Sequence, residues 1–289
     1  MMNQYLIDHY ISKKIDYLRI ISNLKIMDIH IHVGEGEYGQ ILYPKVDENM
    51  LTDILRNNAI TSALIFSNYH ESYKKSNKEI ATICKKNNMF IGLGRINTGD
   101  YIYPKILERI LYPRSTIKDI IKKRNMSKKN QIEALEEIEK CIKDYRLKGI
   151  KLAPMQDGLL TDEQLELISQ LGCVLLIHDT PYRIERQILK KTDIPILIPH
   201  LGGYPNITKN YEYSIELARK YPNVFLDISN VLYHFFIYKA VEKCQDKILF
   251  GSDFPAVHPG VGIMMLLSLD IKITVLEKIF YFNAQNLLK

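Results

Sequence analysis

Cysteine is scarce and scattered: Cys84, Cys141, Cys173 and Cys244 are the only four in 289 residues, and no two form a Cys-x-x-Cys pair. That argues against a zinc knuckle and against a disulfide scaffold, and makes a reducing cytoplasm the expected home. Also missing is any apolar run of membrane-spanning length. The first stretch, Met1 to Leu24, breaks its apolar positions with Asp8, Lys13, Lys14, Asp16 and Arg19, so no secretory core is expected there. No Pro/Gly/Ser-rich linker divides the chain, and neither charge sign dominates it. A net charge of +6 is modest for this length, so nucleic acid is not an expected partner, and neither is a membrane.

What remains is an ordinary globular composition, with 46% hydrophobic residues to supply a sizeable core. A single domain over residues 1–289 is expected, since a barrel of alternating strands and helices typically takes about 250 residues. Within it, residues 1–24 carry Leu6, Ile7, Tyr10, Ile11, Ile15, Leu18 and Ile21 at roughly helical spacing, which predicts an N-terminal helical extension.

One stretch organises the rest. Met27, Ile29, Ile31 and Val33 alternate with Asp28, His30 and His32, the pattern of a strand with its three polar groups on one face. Two imidazoles on a buried strand need partners to offset their desolvation, which makes a pair of metal ligands a better reading than a pair of core histidines. A Gly-rich loop at Gly34, Gly36 and Gly39 is expected next, then a helix over 49–58 and a strand over 63–66.

The alternation continues: a helix near 78–86, a strand over 90–94, a helix over 131–145 and a strand over 149–152. A helix follows from Thr161, with Gln164 placed for a capping box. Two continuous apolar runs, 174–178 and 194–200, then end in His178 and His200, and two more strands, 224–228 and 247–253, bring the total to eight. Apolar runs without alternation indicate strands buried on both faces, as in parallel sheets. No Gly-x-Gly-x-x-Gly turn follows the first strand, which disfavours a dinucleotide-binding open sheet. The expected fold is therefore α/β, a (β/α)8 TIM-type barrel with an extra N-terminal helix.

In such a barrel the C-terminal strand ends converge on one rim, where active sites of the fold lie. The rim would gather His30, His32, His178, His200 and Asp253, a set of neutral nitrogens and one carboxylate suited to a divalent ion with room left for a water. Between the third and fourth strands lies a basic insertion, residues 101–130, with Lys105, Arg109, Arg114, Lys118, Lys122, Lys123, Arg124, Lys128 and Lys129 against Glu108 and Asp119. A solvated face is the ordinary reading; an electropositive lid over an anionic substrate, or an oligomer contact, is the functional one.

In order, Asp28-x-His30-x-His32, Gly149-Ile150-Lys151, His178, His200-Leu201-Gly202-Gly203, Gly251-Ser252-Asp253-Phe254-Pro255 and Asn283-Ala284 resemble the amidohydrolase superfamily. More narrowly they resemble the amidohydrolase-2 group, which includes aminocarboxymuconate-semialdehyde decarboxylase-like enzymes. The resemblance implies a metal-dependent hydrolase in which His30, His32, His178 and Asp253 bind one divalent ion, zinc first and manganese second. Asp253 or His200 would take the proton of a metal-activated water as it attacks a small anionic substrate. Non-oxidative decarboxylation of a small carboxylic acid is the alternative chemistry, with His200 managing the proton. A metal-binding partner protein without turnover is the alternative from another class. A homodimer is compatible with the resemblance.

Secondary candidates are Arg95 and Lys151 for substrate binding, with Tyr69 and His258 behind them. A Lys151 carbamate bridging two metals is the less favoured role for that residue. Asp28 is expected to hydrogen-bond near the ligands rather than ligate. His9 and His234 are expected to be structural, Asn283 to anchor the last helix, and Asp179 is a departure from the family pattern beside His178.

Overall fold

A computed structural model describes residues 20–38, 41–68, 72–100, 117–203, 207–269 and 271–289. Of the expected N-terminal helix only its end, helical at 20–23, falls among them, and His9 lies outside. Residues 101–116 of the basic insertion also lie outside; 117–130 form the first part of a helix, Ile117–Glu139.

Eight parallel strands among the described residues form the barrel: β1 (Ile26–Tyr38), β3 (Ile60–Ser67), β4 (Phe90–Arg95), β5 (Gly149–Leu152), β6 (Val174–Ile177), β7 (Ile196–Ile198), β8 (Val224–Asp227) and β9 (Ile248–Leu249). The remaining strand, β2 (Ile41–Val46), pairs antiparallel with the far half of β1. The ring closes between β1 and the segment after β9, where Ile29 N donates to Phe250 O at 3.0 Å, Asp253 N to His30 O at 2.9 Å and His32 N to Phe254 O at 2.8 Å. The (β/α)8 barrel expected from the alternation is the fold observed.

Two apolar layers hold it. Inside the barrel, Met27, Ile29, Leu64, Phe66, Leu93, Val174, Leu176, Leu197, Phe225 and Leu249 pack together, closed from below by Ala284 and Leu287 of the last helix. The larger layer lies between strands and helices, with Ile150, Leu175, Ile196, Ile198, Leu226 and Ile248 facing outward into it. Each fully buried Leu, Ile or Phe contributes about 1.5–3 kcal/mol relative to exposure. Close packing also explains one glycine: a Cβ on Gly149 would stand 1.9 Å from the Val174 carbonyl oxygen, so β5 and β6 could not pair with a larger residue there.

Two local expectations are corrected. The expected Gly-rich loop is instead the far half of β1, a hairpin arm with Gly34, Gly36, Glu37 and Tyr38 registered against Val46, Tyr43, Leu42 and Ile41, while Gly39 lies outside the described residues. Glycine lowers strand propensity, but backbone pairing overrides it where a partner strand is present. The simple alternation along β1 also fails. Met27 and Ile29 join the interior layer while Ile31 and Val33 join the outer one, and the register against β3 shifts between Asp28 and Ile31. The irregularity exchanges the faces, so Asp28 does not share a face with His30 and His32. Asp28 Oδ1 instead accepts from His30 N at 3.1 Å and Ser252 N at 3.0 Å, stitching β1 to the end of β9.

Candidate metal centre

The strand ends deliver their polar groups to one place above Phe66. His30 and His32 meet the Phe66 ring edge-on, at 5.1 and 4.8 Å between centroids. His200 packs between two other imidazoles, 4.9 Å from His30 and 4.7 Å from His178. Asp253 Oδ1 lies 3.4 Å from His30 Nε2 and 3.3 Å from His32 Nε2. The tightest group is His30, His200 and Asp253, each offering one donor atom within 4.8 Å of the others.

Backbone conformation marks the same place. His200, Leu201, Asn230 and Asp253 have φ of 57°, 48°, 52° and 66°, left-handed values that cost a non-glycine residue about 1–3 kcal/mol each. His200 is held there by its own peptide: His200 N donates to Asp227 Oδ1 at 2.9 Å. Asn230 in turn donates from Nδ2 to Asp253 Oδ2 at 3.2 Å, leaving Oδ1 toward the histidines.

Protonation suits a cation. Burial holds the His30 and His178 imidazoles well below their usual range, with the charge of Lys151 adding most at His30 and that of His200 at His178. Burial likewise lowers His32. Burial would push the Asp253 carboxyl up, but the hydrogen bond with His32 and the nearby imidazoles outweigh it and hold it below the ordinary range. Neutral nitrogens beside an ionised carboxylate are what a divalent metal requires. His30 Nε2 is the test of fit: it is buried, has no hydrogen-bond partner, and is aimed at Asp253. An orphaned buried nitrogen beside an ionised carboxylate fits a metal better than it fits a packed core.

Lys151 on β5 is buried, its Nζ without a hydrogen-bond partner and 4.7 Å from the Phe66 ring centroid. Burial, then the charge of Arg95, pulls its amine down to about 8. Arg95 at the end of β4 is engaged by the protein: Nη2 donates to Asp157 Oδ1 at 2.7 Å and Gln156 Oε1 at 3.0 Å, and Nη1 to Ser67 O at 3.3 Å. Its guanidinium is thus held in a buried ion pair within the protein. Tyr69, with its neighbour His70, lies outside the described residues. His258 is exposed and its Nδ1 caps the helix Pro259–Leu267 by accepting from Gly260 N at 3.2 Å. Asp179 pairs with Arg183 at 3.1 Å, His234 meets Ser268 at 3.1 Å, and Asn283 ties the last helix to Gln245 and Ile248 carbonyls at 2.7 Å.

Sequence reasoning missed Asp227. It is fully buried at the end of β8, and Oδ2 lies 2.9 Å from His30 Nδ1. In the sequence it lies inside the expected strand 224–228, so the strand-end rule that picked out Asp253 passes over it.

Residues 128–289 match the family model described as Amidohydrolase. The chain belongs to the amidohydrolase family. The matched part of this amidohydrolase contains Lys151, His178, His200, Asp227 and Asp253; the barrel then adds His30 and His32 from β1 to the same rim. The family is metal-dependent, and the amidohydrolase is an enzyme of hydrolase or decarboxylase type. Its fold is shared by a 2,6-dihydroxybenzoate decarboxylase from Rhizobium, at 12% identity and TM-score 0.61 over 92% of this chain and 98% of the other. A dihydroxybenzoic acid decarboxylase from Polaromonas sp. JS666, with bound manganese and 2-nitroresorcinol, gives 14% and 0.60 over 92% and 97%. A probable 2-pyrone-4,6-dicarboxylic acid hydrolase from Acinetobacter baumannii, with citric acid bound, gives 12% and 0.61 over 92% and 99%. Among curated proteins none matches the amidohydrolase. No described helix is long and apolar enough to cross a membrane.

Proposed function

We propose that this amidohydrolase is a metal-dependent hydrolase of a small anionic substrate. His30, His32, His178 and Asp253 would hold one divalent ion, zinc or manganese. The observation that carries the reading is the unpaired His30 Nε2 facing Asp253 Oδ1, which lies 3.3 Å from His32 Nε2 as well. The ion would supply Lewis acidity, polarising a substrate oxygen and easing loss of a proton from water.

The chain's own residues then have distinct work. His200 Nδ1 lies 2.8 Å from the Ser229 carbonyl oxygen, which can only accept, so Nδ1 carries the proton and Nε2 the lone pair. That tautomer equips His200 to take a proton at Nε2 and return it to a leaving group, the Ser229 carbonyl stabilising the imidazolium meanwhile. Asp253, kept ionised, is the second acceptor in reach. Lys151, an unpaired buried amine above Phe66, supports an anionic substrate by supplying the compensating cation.

The same Lys151 favours a second reading, non-oxidative decarboxylation, in which a substrate carboxylate leaves as carbon dioxide and His200 delivers a proton to the carbon. Turnover of a panel of small lactones, amides and aromatic acids by metal-loaded protein separates the two. Hydrolysis products without carbon dioxide support the first, and carbon dioxide without a scissile ester or amide supports the second. In either case His200→Asn should abolish turnover while retaining metal; an inert wild type with full metal occupancy would overturn both.

A further inference from the structure

One short segment, Asp227 to Ser229, supplies acceptors to the Nδ1 atoms of both His30 and His200. Asp227 Oδ2 stands 2.9 Å from His30 Nδ1. Asp227 Oδ1 accepts from His200 N and from Ser229 N, each at 2.9 Å, and from the Ser229 hydroxyl. With its proton given to Asp227, Ser229 Oγ presents only lone pairs, and it faces His200 Nδ1 at 2.8 Å and His30 Nδ1 at 3.4 Å. The Ser229 carbonyl, again an acceptor only, completes the set at 2.8 Å from His200 Nδ1. Each Nδ1 therefore faces an oxygen that can only accept, a carboxylate at His30 and a peptide carbonyl at His200.

We propose that Asp227, with Ser229, is a positioning unit that fixes His30 and His200 together as Nδ1–H tautomers, so that both present Nε2 lone pairs to the metal centre. A single carboxylate thus serves a ligand and the proton-handling residue: it orients the His30 ring through Oδ2 and anchors the left-handed His200 peptide through Oδ1. This extends the metal-dependent reading and rests on it for its consequence, though not for its geometry. Partners of this kind on the far nitrogen of a ligating histidine fix its tautomer, and losing one typically costs about 10–100-fold in metal affinity or activity.

The test has two arms on the full-length chain. Nitrogen-15 NMR of histidine-labelled protein after chelation, with His30 and His200 resonances identified from His30→Gln and His200→Gln, reads the tautomers directly. Nδ1–H on both is expected; Nε2–H on His30 overturns the proposal whether or not the protein proves to bind metal. In the second arm, cobalt titration followed by visible absorption compares wild type with Asp227→Asn, whose amide would donate to His30 Nδ1 and turn its lone pair away from the site. A loss of about 10–100-fold in cobalt affinity with a changed spectrum and an unchanged thermal midpoint is expected. Native affinity and spectrum in a folded Asp227→Asn would overturn it. Ser229→Ala, which keeps the carbonyl, should leave His30 as Nδ1–H and perturb only His200. If Asp227→Asn does not fold, the wild-type tautomers still decide. A wild type that binds no cobalt yet shows both Nδ1–H tautomers would defeat the metal reading and leave the positioning geometry standing.

Discussion

Arg95 and Asp157 form an ion pair at 2.7 Å with side chains 2% and 0% exposed. Asp157 also accepts from Ala153 N at 2.7 Å and Tyr73 Oη at 2.6 Å, so this pair locks the loop after β5 to the end of β4. Removing one partner of such a pair strands the other without compensation, at a cost of about 3–5 kcal/mol. Arg95→Met should therefore lower the unfolding free energy read from urea denaturation by an amount of that order. A variant of native stability whose only defect is a raised KM would show instead that Arg95 belongs to the substrate.

Gly251 and His30 give a second prediction. A Cβ at Gly251 would lie 2.9 Å from His30 Cβ and 3.4 Å from Ser229 Cβ, both near the backbone and unable to swing away. Gly251→Ala should displace His30 and weaken metal binding about tenfold or more while the chain still folds. Gly149→Ala, 1.9 Å from a strand carbonyl, should fail to fold at all. Calorimetric metal titration beside far-UV circular dichroism checks both.

Much of this was legible in the chain, and the parts that were not share a cause. His178 and His200 announce themselves because each closes a continuous apolar run, and Asp253 because it follows Ile248-Leu249-Phe250-Gly251-Ser252. Asp227 hides because Ile228 follows it, which makes it look like an interior strand position. At the irregularity in β1, Asp28 bonds to Ser252, a partner 224 residues away, so the local alternation of apolar and polar residues gives no sign of that arrangement. The hairpin arm is similar: Gly34, Gly36 and Gly39 signal a turn by propensity, and only pairing across the arm makes a strand of residues 34–38. The Asp157 that pairs with Arg95 also comes from another element, so the sequence alone does not name the partner of Arg95.

Lys151 makes the stability of the fold depend on pH. Its amine titrates near 8 folded, against 10.5 unfolded. Below pH 8 both states are protonated and the folded state bears the full cost of the buried cation, on the order of 3 kcal/mol at 1.36 kcal/mol per unit. Between 8 and 10.5 the folded amine is neutral while the unfolded one still binds a proton, so stability rises with pH and the cost disappears. Metal-free Lys151→Met should accordingly be the more stable protein at pH 7, by an advantage that vanishes by about pH 10.5. Urea denaturation of both proteins across that range reads it. A flat difference would mean that Lys151 is not a free buried amine, as a carbamate would require.

A metal at the rim underlies every role proposed for His30, His200 and Asp253. Elemental mass spectrometry of the purified chain, alongside Asp253→Ala and His178→Ala, tests it most directly. The account predicts about one zinc or manganese per chain in the native protein and loss of that metal in both variants. A native protein that carries none, and takes up none when divalent ions are supplied, would contradict it.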